Sequence, residues 1–462
     1  MLRQLAAFLA LAALIAPPGC GSGTKTARPT DPVSQGSQPV APAPVEGPQR
    51  VGSVPAKPVE PGTDPAARPG GEPQVVEPAP VEEPRVAGKA KPLSDTVKRG
   101  LAWLASAQLQ SGGWGQGDEA RQLRSGEPGA GIANVADSSV ALLAFLRAGH
   151  APRAGTEHAK TVERGIGFVL SQIEESDNDS IYVSSVRGTR VQLKIGQYVD
   201  TFASLMVLTE AKGQMRDPAS NARLDAALKK VIRKVERNQR DNGSWDDKGW
   251  APVLSQALAA KGLNRAAQAG ATVSRQVLER VEAQAKGGDM KAHGSAGVGL
   301  YGDAASSANI RDDAETKKAK ATELKNKAKQ GPKPMAQSPD VPTKAQIDAA
   351  EAEATAASKA AYDSERALTA RLSDQRFIAG FGNNGGEEYL SYLLISETLF
   401  QTGGAEWQRW DDAITKLVGK VQNEDGSWVG QHCITGRTFC TAAALLVLLG
   451  DRSPASRNVM AK

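Results

Sequence analysis

An all-α fold is predicted by three observations. The pattern Q-x-x-x-G-x-W occurs three times: QLQSGGW (Gln108, Gly112, Trp114), QRDNGSW (Gln239, Gly243, Trp245) and QNEDGSW (Gln422, Gly426, Trp428). A segment with helical spacing of apolar residues precedes each copy, as in VKRGLAWLASAQ, LKKVIRKVERNQ and ITKLVGKVQ. A second helical segment, often richer in Ala and Leu, follows each: DSSVALLAFLRAG, APVLSQALAAKG and TFCTAAALLVLLG. The repeating unit is therefore helix, joint, helix. The last of these second helices is almost wholly apolar, and a helix that is apolar all round is buried on all sides.

The elements follow in chain order. Residues 1–20, MLRQLAAFLALAALIAPPGC, carry Arg3, an apolar run from Leu5 to Ala16 and small residues before Cys20. The run is too short for a spanning helix and has the layout of an export signal. It resembles the signal of a bacterial lipoprotein, with Cys20 as the lipidated residue, although Pro17 stands where that signal usually has Leu. Residues 21–95 hold 16 of the 27 prolines and no Phe, Trp or Tyr. Such a segment cannot bury enough apolar surface to offset the entropy of ordering, so a disordered, Pro-rich tether is expected. Residues 96–302 form the first part of the helical domain. Within it, VERGIGFVLSQ and YVDTFASLMVLTEAKG make a degenerate unit joined by a loop or short hairpin, and TVSRQVLERVEAQ starts a further one.

Residues 303–375 are rich in Ala, Lys, Glu and Asp, with a thin apolar stripe broken at GPKP, which predicts a polar helical insertion. Residues 376–462 form the last part, in which EYLSYLLISETLFQTGG reads as an inner helix. The 56 basic and 51 acidic residues are interspersed and form no aromatic-interleaved stripe, which argues against a nucleic-acid partner.

The motif residues have a physical purpose. Gly permits a tight joint, and Asn242-Gly243 and Asp425-Gly426 are strong turn pairs. The Trp ring supplies buried surface, and the Gln amide can tie a helix end to loop backbone. A structural role is therefore expected for Trp114, Trp245 and Trp428.

Helix, Q-x-x-x-G-x-W, apolar helix resembles the prenyltransferase and squalene oxidase repeat, the QW motif of triterpene cyclases, over about 97–264 and 377–450. The resemblance implies an α/α toroid, a barrel of paired helices with an inner ring inside an outer ring. The segment FGNNGGEEYLSYLLISETLFQTGGAEWQRW is similar to the last repeat of large exported bacterial proteins that carry it.

The chemistry of that family is only weakly matched. Hopene-type cyclases protonate an alkene with a D-x-D-D acid. The nearest stretch here is NVADSSVALL, where Asp137 is the candidate catalytic acid. Asn134 and Ala136 stand where companion carboxylates would be wanted, and Asp137 before two serines also suits a helix N-cap. The D-x-x-D-D pattern of diphosphate-ionising synthases is absent. Asp246-Asp247 falls in a loop, Asp411-Asp412 at a helix start, and Asp312-Asp313 in the polar insertion, outside any cavity.

Zinc-dependent prenyltransferases share the toroid, and GQHCITGRTFC offers His432, Cys433 and Cys440 as candidate metal ligands, without the family spacing. Cys433 and Cys440 could pair only if Cys433 lay in the loop before the helix. His150 and His158 are expected in a solvated loop, and His293 in a Gly-rich one. The thioester motif of another toroid family is absent, and no cofactor is implied.

The expected function is that of an exported, lipid-anchored, non-catalytic toroid that binds a ligand or protein at the cell envelope. The rival is a terpene- or squalene-cyclase-like enzyme acting through Asp137, and a third reading is a purely structural envelope protein. Aromatic residues make up only 5% of the chain, which argues against a cation-stabilising cavity.

Overall fold

The computed structural model describes residues 90–117, 129, 131–246, 248–287, 296–330, 341–374, 385–431 and 433–453. The chain divides into two units, Met1–Pro78 and Ala79–Lys462, and every described residue belongs to the second. The signal with Cys20, the tether up to residue 89, His293 and His432 lie outside the described residues.

Among the described residues there are 13 α-helices and no strand. They are α1 (Asp95–Ser106), α2 (Val135–Ala148), α3 (Ala159–Glu175), α4 (Arg190–Lys194), α5 (Val199–Ala211), α6 (Pro218–Arg237) and α7 (Pro252–Gln268), followed by α8 (Arg275–Gly287), α9 (Ala296–Gln330), α10 (Lys344–Leu372), α11 (Gly386–Thr402), α12 (Gly404–Lys420) and α13 (Arg437–Leu448). None is long and apolar enough to cross a membrane. The joint between α3 and α5 contains the short helix α4, opened by a capping box between Thr189 and Gln192.

Two kinds of helix alternate. The amphipathic kind buries one stripe, as α3 does with Val162, Ile166, Val169, Leu170 and Ile173. The other kind is buried all round. All 14 residues of α2 are buried, and α5, α11 and α13 are nearly so. These buried helices, with α7 and α9, touch in sequence: α2 packs on α5, α5 on α7, α7 on α9, α9 on α11, α11 on α13, and α13 on α2. The series of contacts closes on itself, and residues of all six helices belong to one hydrophobic cluster. The amphipathic helices pack against these six, α1 on α13, α3 on α2, α6 on α5, α8 and α10 on α9, and α12 on α11.

Helices α9 and α10 pack along each other, and the start of α9 is central. Leu300, Tyr301, Ala304, Ala305 and Ala308 are buried, and α9 packs on α7 and α11. Alanines at helical spacing allow close approach while adding little apolar character to the sequence, which is why this stretch reads as peripheral. Asp312, expected outside the core, is fully buried. Asp411 lies well inside α12 rather than at its start, and pairs with Lys91.

The three motif copies make corresponding bonds. Each indole Nε1 donates to a carbonyl ten residues back, Trp114 to Leu104 and Trp245 to Val235 at 2.8 Å, Trp428 to Val418 at 2.9 Å. Each Trp backbone N–H donates to a side chain of the following buried helix: Ser138 (2.8 Å), Gln256 (2.9 Å) and Thr441 (2.9 Å). Each Gln Nε2 donates twice, to the motif Gly carbonyl and to a carbonyl in another amphipathic helix. Gln108 reaches Gly112 (2.7 Å) and Thr161 in α3 (2.9 Å). Gln239 reaches Gly243 (3.1 Å) and Val277 in α8 (3.3 Å). Gln422 reaches Gly426 and Thr96 in α1, both at 2.9 Å. The third copy thus ties the last unit to the first helix.

Glycine is required at these joints. Gly112, Gly243 and Gly426 have φ of 90°, 83° and 92°. A Cβ on each would lie 2.6, 2.3 and 2.6 Å from the carbonyl oxygen of Arg164, Arg280 and Arg99. Gly270 also has positive φ (77°), with nothing within 4 Å of an added Cβ. Gly270→Ala should therefore cost only the left-handed conformation, about 1–2 kcal/mol. Gly426→Ala should cost more, because a backbone carbonyl must also move. Thermal melts of the two variants check this, and equal shifts would count against the tight joint.

Candidate functional site

Two buried polar clusters lie among the closed series of helices. The first is at the N-terminal ends of α2 and α5. Asn134, not Asp137, caps α2, and its Oδ1 accepts from the Asp137 N–H at 2.9 Å. The Asn134 amide in turn donates to Asp137 Oδ2 at 2.7 Å. Asp137 is fully buried in the first turn of α2. Asp200 occupies the first turn of α5, also buried, and its Oδ2 accepts from Gln192 Nε2 of α4 at 3.1 Å. Oδ1 of each carboxyl has no hydrogen-bond partner.

Burial pushes Asp137 up to about 7, opposed by the Asn134 hydrogen bond and reinforced by the Asp200 charge. Burial likewise raises Asp200 to about 7, against the Gln192 bond and the Arg187 charge. A carboxyl group with this affinity can hold a proton near neutrality and release it, which is what a general acid requires. The carboxyl whose charge acts on Asp137 belongs to another helix, α5.

The second cluster is ionic. Arg147 of α2 pairs with Glu210 of α5 (2.8 Å) and Glu397 of α11 (2.5 Å). Lys261 of α7 pairs with Glu397 (2.7 Å) and with Asp312 of α9 (2.6 Å). Arg265 of α7 holds Asp312 at 2.8 Å and stands 3.7 Å from Glu397. Three cations thus face three anions, contributed by five of the six buried helices. Burial works against the Arg147 charge, but Glu210 and Glu397 outweigh it and raise its pKa. Burial also works against the Glu397 charge, yet Arg147, Lys261 and Arg265 hold it well below the usual carboxylate range. A groove of about 600 Å³, lined in part by Leu146, Arg147, Ala151, Arg153, Thr209 and Glu210, opens beside this cluster.

Of the candidate metal ligands, His432 lies outside the described residues. Cys433 and Cys440 form no disulfide. Cys433 is the one non-glycine residue with positive φ among the described residues, at 61°. Cys440 is buried, and its Sγ donates to the Ile434 carbonyl at 3.3 Å. Neither belongs to a group of three possible metal ligands among the described residues. His150 and His158, expected in solvent, are packed: His150 is buried, and the two rings lie against Phe145, edge-on and tilted, with centroids 6.3 and 5.2 Å away. No protein-family model matches the chain, and no curated protein matches it significantly.

Proposed function

We propose that the chain is an α/α toroid, with α2, α5, α7, α9, α11 and α13 as its inner ring, acting as an exported, non-catalytic binding protein of the cell envelope. The closed series of helix contacts and the Gln422 bond to α1 support the toroid. The observation that carries the non-catalytic reading is the ionic cluster. Five inner helices fill the space between them with charges that neutralise one another, where an isoprenoid cyclase needs an apolar, aromatic-walled cavity. Binding of a ligand or protein then falls to the end faces and to the groove beside Arg147 and Glu210. Anchorage through a lipid on Cys20 rests on the N-terminal sequence, and places the domain beyond a Pro-rich spacer from the membrane.

The Asp137–Asp200 pair favours a second reading, a cyclase-like enzyme with Asp137 as acid. It gains from the pair's burial and raised proton affinity. Incubation of the purified full chain with squalene, followed by analysis of the lipid products, separates the two. The non-catalytic reading expects unchanged squalene. A cyclised product that disappears in Asp137→Asn would replace it with the enzyme reading.

A further inference from the structure

Between α2 and α3 the chain makes a tight turn, GHAPRAGTEH. Gly149 and Gly155 both take positive φ, 96° and 65°, and Pro152–Ala154 forms a 3₁₀ turn between them. The turn brings back His158 against His150, ring centroids 4.8 Å apart and edge-on. Phe145 of α2 lies against both rings, edge-on to His150 and tilted to His158. Glu157 reaches in from the solvent side, with its Oε1 3.6 Å from His158 Nε2. One ligand atom from each of His150, Glu157 and His158 lies within 4.8 Å of the others.

We propose that His150, His158 and Glu157 form a binding site for a divalent transition-metal ion of the zinc class. Two imidazoles and one carboxylate are the ligand set that suits zinc, cobalt, nickel or iron(II) rather than magnesium or calcium, which take oxygen ligands. In tetrahedral coordination with bonds of about 2.0–2.1 Å, ligand atoms stand roughly 3.3 Å apart. The Glu157–His158 spacing is already close to that value.

The surroundings are those of a ligand site. Nδ1 of His150 is hydrogen-bonded to the Thr156 hydroxyl at 2.9 Å, which fixes the ring plane. In the tautomer that donates through Nδ1, the lone pair is on Nε2, and such an outer hydrogen bond commonly orients a metal-binding imidazole. The Glu157 side chain is 77% exposed and that of His158 14%, so an ion has a route in and a coordination position open to water.

The test is titration of the metal-free full chain with Co²⁺ at pH 7.5, read by visible absorption, with Zn²⁺ as competitor. One equivalent of Co²⁺ should give the d–d bands of a low-coordinate site, and Zn²⁺ should abolish them. His158→Gln should lose the bands. Glu157→Gln, at an exposed position that does not threaten the fold, should weaken binding by at least about tenfold. Absence of Co²⁺ bands in the wild type, or bands of equal strength and affinity in wild type and Glu157→Gln, would overturn the proposal.

Discussion

Replacing Glu397 by alanine should destabilise the protein by about 3–5 kcal/mol. The reason is asymmetry. Glu397 is fully buried and is the shared counter-ion of Arg147 and Lys261, with Arg265 nearby. Its removal leaves two anions, Glu210 and Asp312, facing three buried cations, with Lys261 and Arg265 sharing Asp312 alone. The loss should exceed that of any single exposed pair in the amphipathic helices, such as Arg275–Glu279, where solvent leaves well under 1 kcal/mol.

The pH dependence has a definite sign. Glu397 is held below the ordinary carboxylate range in the folded state, so its contribution is complete above the unfolded value of about 4.3 and fades as pH falls below that. Chemical denaturation of wild type and Glu397→Ala at pH 7 and pH 3.5 measures both effects. The difference between them should shrink at the lower pH. A cost under about 1 kcal/mol at pH 7 would mean that the charges do not hold the helices together.

Asp137→Asn should act in the opposite direction and stabilise the protein at pH 8. Asp137 and Asp200 titrate near 7 when folded, against about 3.9 when unfolded. Between these values the folded state binds more protons, so the stabilisation is complete below pH 3.9 and is lost as pH rises through 7. Each such carboxyl contributes a slope of up to about 1.4 kcal/mol per pH unit over that window. The Asn side chain keeps an acceptor for Asn134 and carries no charge to desolvate. Stability curves from pH 4 to 8 should therefore flatten in Asp137→Asn. A variant less stable than wild type at pH 8, with an unchanged slope, would show that this carboxyl is comfortably ionised.

The joints were more legible than the centre. Q-x-x-x-G-x-W names the side chains that make the joint, because turn, amide and indole are all local choices. Its far partners also had a signal, in TVKRG (Thr96–Gly100) and TVERG (Thr161–Gly165). The Thr carbonyls receive the Gln amides, the Arg carbonyls crowd the motif glycines, and a Cβ on Gly100 or Gly165 would run into the ring of Trp428 or Trp114.

The ionic cluster was written as single charges inside apolar helices, such as Glu397 in LLISETLF and Arg147 in AFLRAG. Each looks like an isolated exception until the helices are brought together. Asp312 was hidden for a different reason, since the alanine-rich start of α9 carries little hydrophobic signal although it is central. Asp200 occupies the first turn of α5 as Asp137 does that of α2, but with 62 residues between them the pairing depends on how the helices pack.

Closure of the ring is the central claim, and it is tested most directly where the last unit meets the first helix. Arg99 of α1 donates to Gln422 Oε1 at 2.7 Å, across 323 residues of chain. Arg99→Cys and Gln422→Cys in one chain, treated with a short bis-maleimide and mapped by mass spectrometry, should give a cross-link within a single molecule at low protein concentration. Absence of that cross-link while both cysteines react singly, or its appearance only between molecules, would contradict a chain closed on itself.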